Sequence, residues 1–557
     1  MRHTTKKILA LLLAAVTLLA CTGCGRNNSN ADDGIPESTG GKDVERAAAA
    51  DDVFSLYCNP RYSFNPFIAT NRANQLICDL VYENIVEIDN NFEVIEGSGI
   101  ITAWEHSDDG RLWTFTMDMN HTFHDGSPVT PSDVSYSLGM CINSDRFTGR
   151  FASYQGASPT EDGFQVTLGI GDADFIKLLN VPIIKRGTYD KGDGSRPVGS
   201  GPYMYNEDYT ELIAFEDYAH AEGKLPVDTI YIKEITTADG TISAFEDGII
   251  DVVVNDPSSY TNLGYASTNE IHTFATTNMH YVAFNEESTY ARYSYFRVAM
   301  QYAFDREYLV ELLHGNAVAS PIPMYPTCSL YPTNLANSLT YNLETCRKIL
   351  AVAGVQDYDE DGQMDFMSAG QKIDLNFAVC SDSAAKAGIV RRFQEDMASI
   401  GLKVTVHELT WDDYMTALQE GVIQVGNQQV PLDMYYGEVR LRNNFDLTEL
   451  LQPRTEKNER TNLNFTNSTD ATVVDRVNAY LAAAGPSRAS AYYQLCEFVT
   501  SSSGSLITIG FEKQQIITHR GVCKGIDANM GNPLYNFANW TIELSDQPIL
   551  ETEEEAD

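Results

Sequence analysis

Ser107-Asp108-Asp109-Gly110-Arg111-Leu112-Trp113-Thr114-Phe115-Thr116-Met117-Asp118-Met119 leads through Phe123-His124-Asp125-Gly126 to Thr130-Pro131-Ser132-Asp133-Val134-Ser135-Tyr136-Ser137-Leu138. Trp113, Phe115, Met117 and Met119 alternate with Thr114, Thr116 and Asp118. That period of two predicts a half-buried strand. His124-Asp125-Gly126 reads as a turn. Thr130 then caps a helix, with Pro131 at its first position and Asp133 three residues past the cap.

The same alternation of strand and helix continues outward. Gly199-Ser200-Gly201-Pro202 is a loop into a strand around Tyr203 and Tyr205. Ile230, Ile232 and Ile235 mark another strand. Thr241 to Glu246 is a short helix ending at Gly248, before a buried strand from Val252 to Val254. Val298, Tyr302, Leu309, Leu312 and Leu313 predict one helix over 296–313. Helices follow over 343–353 and 384–400, then a strand over 402–406. Such alternation implies α/β layers. No tandem repeat of fixed period is present.

The chain has 557 residues, 43% hydrophobic and 21% charged, which is globular usage with room for several domains. Lys plus Arg is 38 against 77 for Asp plus Glu, a net charge of −39. That excess repels phosphate backbones, so no nucleic-acid partner is expected. Arg2, Lys6 and Lys7 precede an apolar run from Ile8 to Ala20, shorter than the about 20 residues a spanning helix needs. The run reads as a secretory signal over 1–20. Leu18-Leu19-Ala20-Cys21 resembles a bacterial lipobox, which makes Cys21 the candidate lipidated residue, with Cys24 as the alternative. An ordinary signal peptide with incidental cysteines is the plainer reading. Residues 21–50, rich in Asn, Ser, Gly, Asp and Ala, read as a flexible tether. The expected location is extracytoplasmic, anchored to the cell membrane by an N-terminal lipid. Eight further cysteines are scattered without a CxxC pair. Export permits disulfides, but a large core does not need them, so mostly free, buried thiols are expected.

Taken in order, these segments resemble the bacterial extracytoplasmic solute-binding proteins of family 5, the oligopeptide-, dipeptide- and nickel-binding components of ABC importers. Phe64-Asn65-Pro66 followed by Val81-Tyr82-Glu83 is similar to the family's opening. The 107–138 stretch is similar to its most characteristic region. Gly199-Ser200-Gly201-Pro202-Tyr203, then Phe245 with Gly248 and Asp251, and Tyr281 to Asn285 with Arg297-Val298-Ala299 and Ala303-Phe304-Asp305-Arg306, continue the match. The resemblance implies a two-lobed α/β fold of the periplasmic-binding-protein type (type II, cluster C) with an extra α/β domain on the first lobe. Its implied division is 51–74, 198–279 and 504–557 for a discontinuous lobe I, 75–197 for the extra domain, and 280–503 for lobe II. The solute would sit in the cleft between lobes.

In peptide-binding relatives a Gly-Trp-x-x-Asp segment lines that cleft, and its aspartate meets the peptide's ammonium group. Here the matching region reads Asp433-Met434-Tyr435-Tyr436-Gly437-Glu438-Val439-Arg440-Leu441. The glycine is kept, but Glu438 replaces the tryptophan and the aspartate falls near Leu441. Glu438 or Asp446 is then a candidate counter-charge, and Arg440 a candidate fork for a ligand carboxylate. Each also fits a solvated loop charge or an internal salt bridge. Tyr435, Tyr436, Trp411 and Trp540 are candidate cleft walls, being rigid with a polar handle. Thr70 and Asn71 lie in a loop positioned to reach the cleft.

Asp357-Tyr358-Asp359-Glu360-Asp361-Gly362 has the core of a calcium loop, with Asp365 at its ninth position and Ser368 where the bidentate glutamate belongs. Asp357, Asp359, Asp361 and Asp365 are therefore candidate ligands for a structural calcium, against a solvated acidic turn. No other cofactor is expected. His121 and His124 are three apart but flank a strand end and point differently. The chain carries no HExxH, P-loop or G-x-S-x-G motif. The expectation is a non-enzymatic receptor that passes short peptides, or a nickel chelate or other small solute, to an ABC permease. The alternatives are a surface hydrolase of peptides or glycans, and a peptide-signal receptor uncoupled from import.

Overall fold

The computed structural model describes residues 52–544, apart from 148, 190–195, 257–267, 456–457 and 459–460. The expected signal peptide, the tether, and Cys21 and Cys24 lie outside the described residues. Among the described residues, no helix is long and apolar enough to cross a membrane.

The opening stretch folds as read. Leu112–Met117 is a strand whose Trp113, Phe115 and Met117 point inward. It pairs with Ile101–His106 on one side and Gly163–Leu168 on the other, and Tyr154–Pro159 completes a four-stranded sheet. Trp113 stacks on Phe115 with ring centroids 5.6 Å apart, and Phe115 on Phe164 at 4.8 Å. Burial of such rings stabilises a core by about 3–5 kcal/mol each relative to alanine. The helix Pro131–Ile142 begins after Thr130, whose backbone N–H donates to the Asp133 carboxylate at 3.0 Å.

A second four-stranded sheet places Phe54–Cys58 parallel to Thr229–Glu234, followed by Glu211–Ala214 and Tyr203–Tyr205. The largest sheet has seven strands and is built on two long ones, Asn269–Phe284 and Leu506–His519. Residues 269–275 pair with 513–519, and Val252–Asn255 joins that half. Residues 279–283 pair with 506–511, and there Ala317–Ala319, Met434–Arg440, Asp374–Cys380 and Lys403–Leu409 extend the sheet.

Between the halves the register slips. Thr276 Oγ1 donates to the Glu512 carbonyl at 2.7 Å and Thr277 Oγ1 to the Leu441 carbonyl. Side chains thus replace ladder bonds where the ladder is interrupted, as a buried polar backbone requires. Beneath the second half lies an apolar core that includes Phe304, Phe377 and Phe393, with Phe304 stacked on Phe393 at 4.4 Å.

One predicted element differs. The helix expected over 296–313 is two helices, Ser294–Met300 and Glu307–Leu312. Arg306 sits buried at the break, donating to the carbonyls of Gln301, Leu339 and Thr508. The apolar spacing is helical on both sides, but a guanidinium that collects carbonyls needs some of them released from the helix. The eight cysteines from Cys58 to Cys523 are free and buried.

Candidate functional site

The strand Met434–Arg440 runs through the middle of the large sheet; Met434 to Gly437 and Val439 are buried, while Glu438 and Arg440 reach the surface. Tyr435 and Tyr436 are each 1% exposed. Tyr436 hydrogen-bonds His280 Nδ1 through its hydroxyl at 3.0 Å, and Tyr435 packs edge-on against Tyr281. Both were expected as cleft walls and both are core residues, because a central strand is covered on its two faces. Gly437 faces Tyr281 in register, and a Cβ there would lie 2.4 Å from that ring. The retained glycine serves this packing.

Glu438 emerges at the surface and pairs with Lys386 Nζ at 2.7 Å. Asp446 is likewise taken, by Arg442 at 2.7 Å. Neither is a spare counter-charge for an ammonium group. Arg440 differs: it is exposed, and its side chain has no hydrogen-bond or ion-pair partner among the described residues. Surrounding protein nonetheless desolvates it, and with the charges of Arg72, Arg150 and Arg146 holds its pKa down to about 9. Arg440 thus keeps solvent contact while protein and three like charges crowd it.

Three other segments bring these arginines together. Asn71 caps the helix Arg72–Val81, accepting from the Asn74 N–H, which places Arg72 in the first turn. Arg72 donates to the Met530 carbonyl at 3.4 Å, and its buried Nε has no partner among the described residues. The Met530 sulfur lies 3.2 Å from the Thr277 backbone nitrogen, and Thr277 in turn bonds Leu441, next to Arg440. Arg150 donates to Asn180 Oδ1 at 2.8 Å, and Asn443 Nδ2 donates to the same oxygen at 3.2 Å. Arg146 donates to the Pro66 carbonyl at 2.8 Å and stands 4.0 Å from Asp79. Burial pushes Asp79 up to about 6 despite these arginines, which weakens it as their counter-charge. A chain of net charge −39 therefore gathers four arginines at one place, with Asp79 as the carboxylate among them. Guanidinium groups in that setting suit a carboxylate or another oxyanion.

Of the remaining expected residues, Thr70 is exposed beside Asn71, so the loop expected to reach the cleft leads into Arg72. Trp411 is 60% exposed at the start of the helix Trp411–Glu420, packed beside Tyr414 rather than against the arginines. Trp540 is 4% exposed, donates its Nε1–H to the Tyr535 carbonyl and packs on Phe537. It is a core residue, not a wall. Arg72, Arg146 and Arg150 were missed, since nothing in their local sequence separates them from solvated arginines. The adjacency of Arg72 to Thr70 and Asn71 was the available hint.

In the acidic loop an internal cation stands beside three of the four candidate aspartates. Lys372 Nζ lies 2.9 Å from Asp359, 2.8 Å from Asp361 and 3.0 Å from Asp365. Its ammonium holds the Asp361 and Asp365 carboxyls below their ordinary range against the cost of desolvation, while the ligand-capable oxygens of Asp357, Asp359 and Asp361 lie within 4.8 Å of one another. Asp357 instead accepts the backbone N–H groups of Asp361 and Gly362.

Paired long strands joining two sheet halves, with a separate four-stranded sheet added, make the α/β architecture of a two-lobed binding fold with an added α/β domain. The sequence model of the bacterial extracellular solute-binding proteins, family 5 (middle region), matches residues 98–445. The chain belongs to this family. It is 24% identical over 436 residues to the oligopeptide-binding protein AppA of Bacillus subtilis, covering 74% of this chain and 77% of that protein. It is 23% identical over 464 residues to heme-binding protein A of Haemophilus influenzae, covering 75% and 80%. The solved structure of B. subtilis AppA with a nonapeptide matches at a TM-score of 0.60 and 19% identity, over 89% of this chain and 99% of that one. NikZ of Campylobacter jejuni with Ni(L-His) matches at 0.64 and 16% identity, over 88% and 99%.

Proposed function

We propose that this chain is the lipid-anchored, extracytoplasmic solute-binding component of an ABC importer. It captures short peptides between two lobes and passes them to a membrane permease, making and breaking no bond in the solute. The lobes are 51–74 with 198–279 and 504–557, carrying the extra domain 75–197, against 280–503. They turn about the slipped register at 276–278. Closure needs only a few kcal/mol of differential affinity for the closed state.

The observation that carries the solute class is Arg440, unpartnered among the described residues beside three other arginines. It takes the peptide's terminal carboxylate, so the peptide is gripped by its acidic end rather than its ammonium end. A carboxylate-bearing metal chelate satisfies the same arginines, and relatives named for peptide, haem and nickel binding keep that second reading open to test. Thermal unfolding with matched peptides decides between them. A free-acid peptide raises the Tm and its C-terminal amide does not. Equal stabilisation by both sinks the carboxylate grip, and stabilisation only by nickel or iron chelates moves the solute class.

A further inference from the structure

A second polar centre lies apart from the arginines. Glu83 follows the helix Arg72–Val81 and is 5% exposed. His121 Nδ1 stands 3.0 Å from both of its carboxylate oxygens, and His220 Nε2 stands 2.9 Å from Oε1. Ser200 Oγ donates to Oε2 at 3.3 Å. The ligand-capable atoms of Glu83, His121 and His220 lie within 4.8 Å of one another. Two imidazoles and a carboxylate converging in this way form a donor set for late first-row divalent metals.

An independent feature adjoins them. His220 lines a cavity of about 250 Å³ together with Glu87, Asp79 and Glu222, and no lysine or arginine is among the described residues lining it. Glu87 is 5% exposed. Its Oε1 accepts from Asn84 and Asn532, while its buried Oε2 has no partner among the described residues. Burial pushes this carboxyl up to about 8, so its ionised form needs a positive charge beside it. Asp79 Oδ2 is likewise buried without a partner among the described residues. Buried carboxyls on a cavity beside His220 suit a cation and its bound water.

We infer that Glu83, His121 and His220 bind one divalent transition-metal cation, of the zinc or nickel class, whose open position faces the cavity where Glu87 accepts from metal-bound water. The site would join the extra domain, which carries Glu83 and His121, to His220 of the first lobe; none of its three ligands is among the arginines, although Asp79 stands between the cavity and Arg146, and it is independent of the solute reading. A resident metal there would fix the segments carrying residues 83, 121 and 220 to one another.

The test uses the full chain in detergent, stripped with chelator and titrated with Co²⁺. The expected result is one equivalent bound with ligand-field absorption, displaced by Zn²⁺ and weakened at least tenfold in His220→Asn. X-ray absorption at the cobalt edge should show two imidazoles in the unsubstituted chain, a readout that does not depend on the variant folding. Absence of ligand-field bands, fewer than two imidazoles, or binding unchanged in a folded His220→Asn chain overturns the inference.

Discussion

Arg440 stands among Arg72, Arg146 and Arg150, whose like charges oppose its own. Its role is tested by removing it. Arg440→Gln should weaken binding of a free-acid peptide by about 2 kcal/mol, roughly 30-fold, the usual magnitude for a charge-assisted hydrogen bond. The Tm without solute should stay or rise, because the variant relieves repulsion from Arg72, Arg146 and Arg150. Calorimetric titration and thermal unfolding measure both. Unchanged affinity, or a drop in solute-free Tm, removes Arg440 from the site. Single residues also show the limit of reading a sequence. An aromatic suits a core as well as a cleft, so Tyr435, Tyr436 and Trp540 were indistinguishable from wall residues by type. Position in the sheet decided, and position is a tertiary fact.

At the scale of elements, the loop from Asp357 to Asp365 carries its own cation in Lys372, seven residues beyond the last aspartate. Lys372→Gln should leave clustered carboxylates in mutual repulsion and open the loop to an external ion. The variant should have a lower Tm than the parent in chelator and recover on adding millimolar Ca²⁺, whereas the parent responds little. A parent that gains as much from Ca²⁺ as the variant would restore the calcium reading. The same element explains what was legible. The strand at 112–117, the capped helix after Thr130 and the helices near 343 and 384 follow from short-range periodicity and capping, so they were read correctly. The break in the 296–313 helix was not, since its cause is Arg306 bonding to Thr508, 202 residues away. The arginine cleft failed for the same reason. Arg440 was singled out, but Arg72, Arg146 and Arg150 are placed by contacts that include the distant Met530, Asn180 and Pro66.

Across the whole molecule, residues 172–180 meet 443–488, joining the added sheet to the far part of the chain. Asn444 donates to Asp172 at 2.7 Å, Arg488 pairs with Asp174 at 2.9 Å, and the Ala173 N–H donates to the Leu481 carbonyl. Burial pushes the Asp172 carboxyl up to about 7 from an ordinary 3.8. A carboxyl raised on folding stabilises fully below its unfolded pKa and loses that contribution as pH climbs to the folded value. Between about pH 4 and pH 7 the parent should therefore lose Tm that Asp172→Asn keeps, a difference on the order of a few degrees. Parallel Tm–pH curves for the two proteins would show that Asp172 does not titrate there.

The central claim, capture of a carboxylate-bearing solute between lobes, is tested most directly by native mass spectrometry of the purified chain before and after mild denaturation. The account predicts added mass on the folded protein that is released as short peptides with free C-terminal carboxylates. A folded protein that releases nothing, and gains no thermal stability from a peptide mixture, would contradict it.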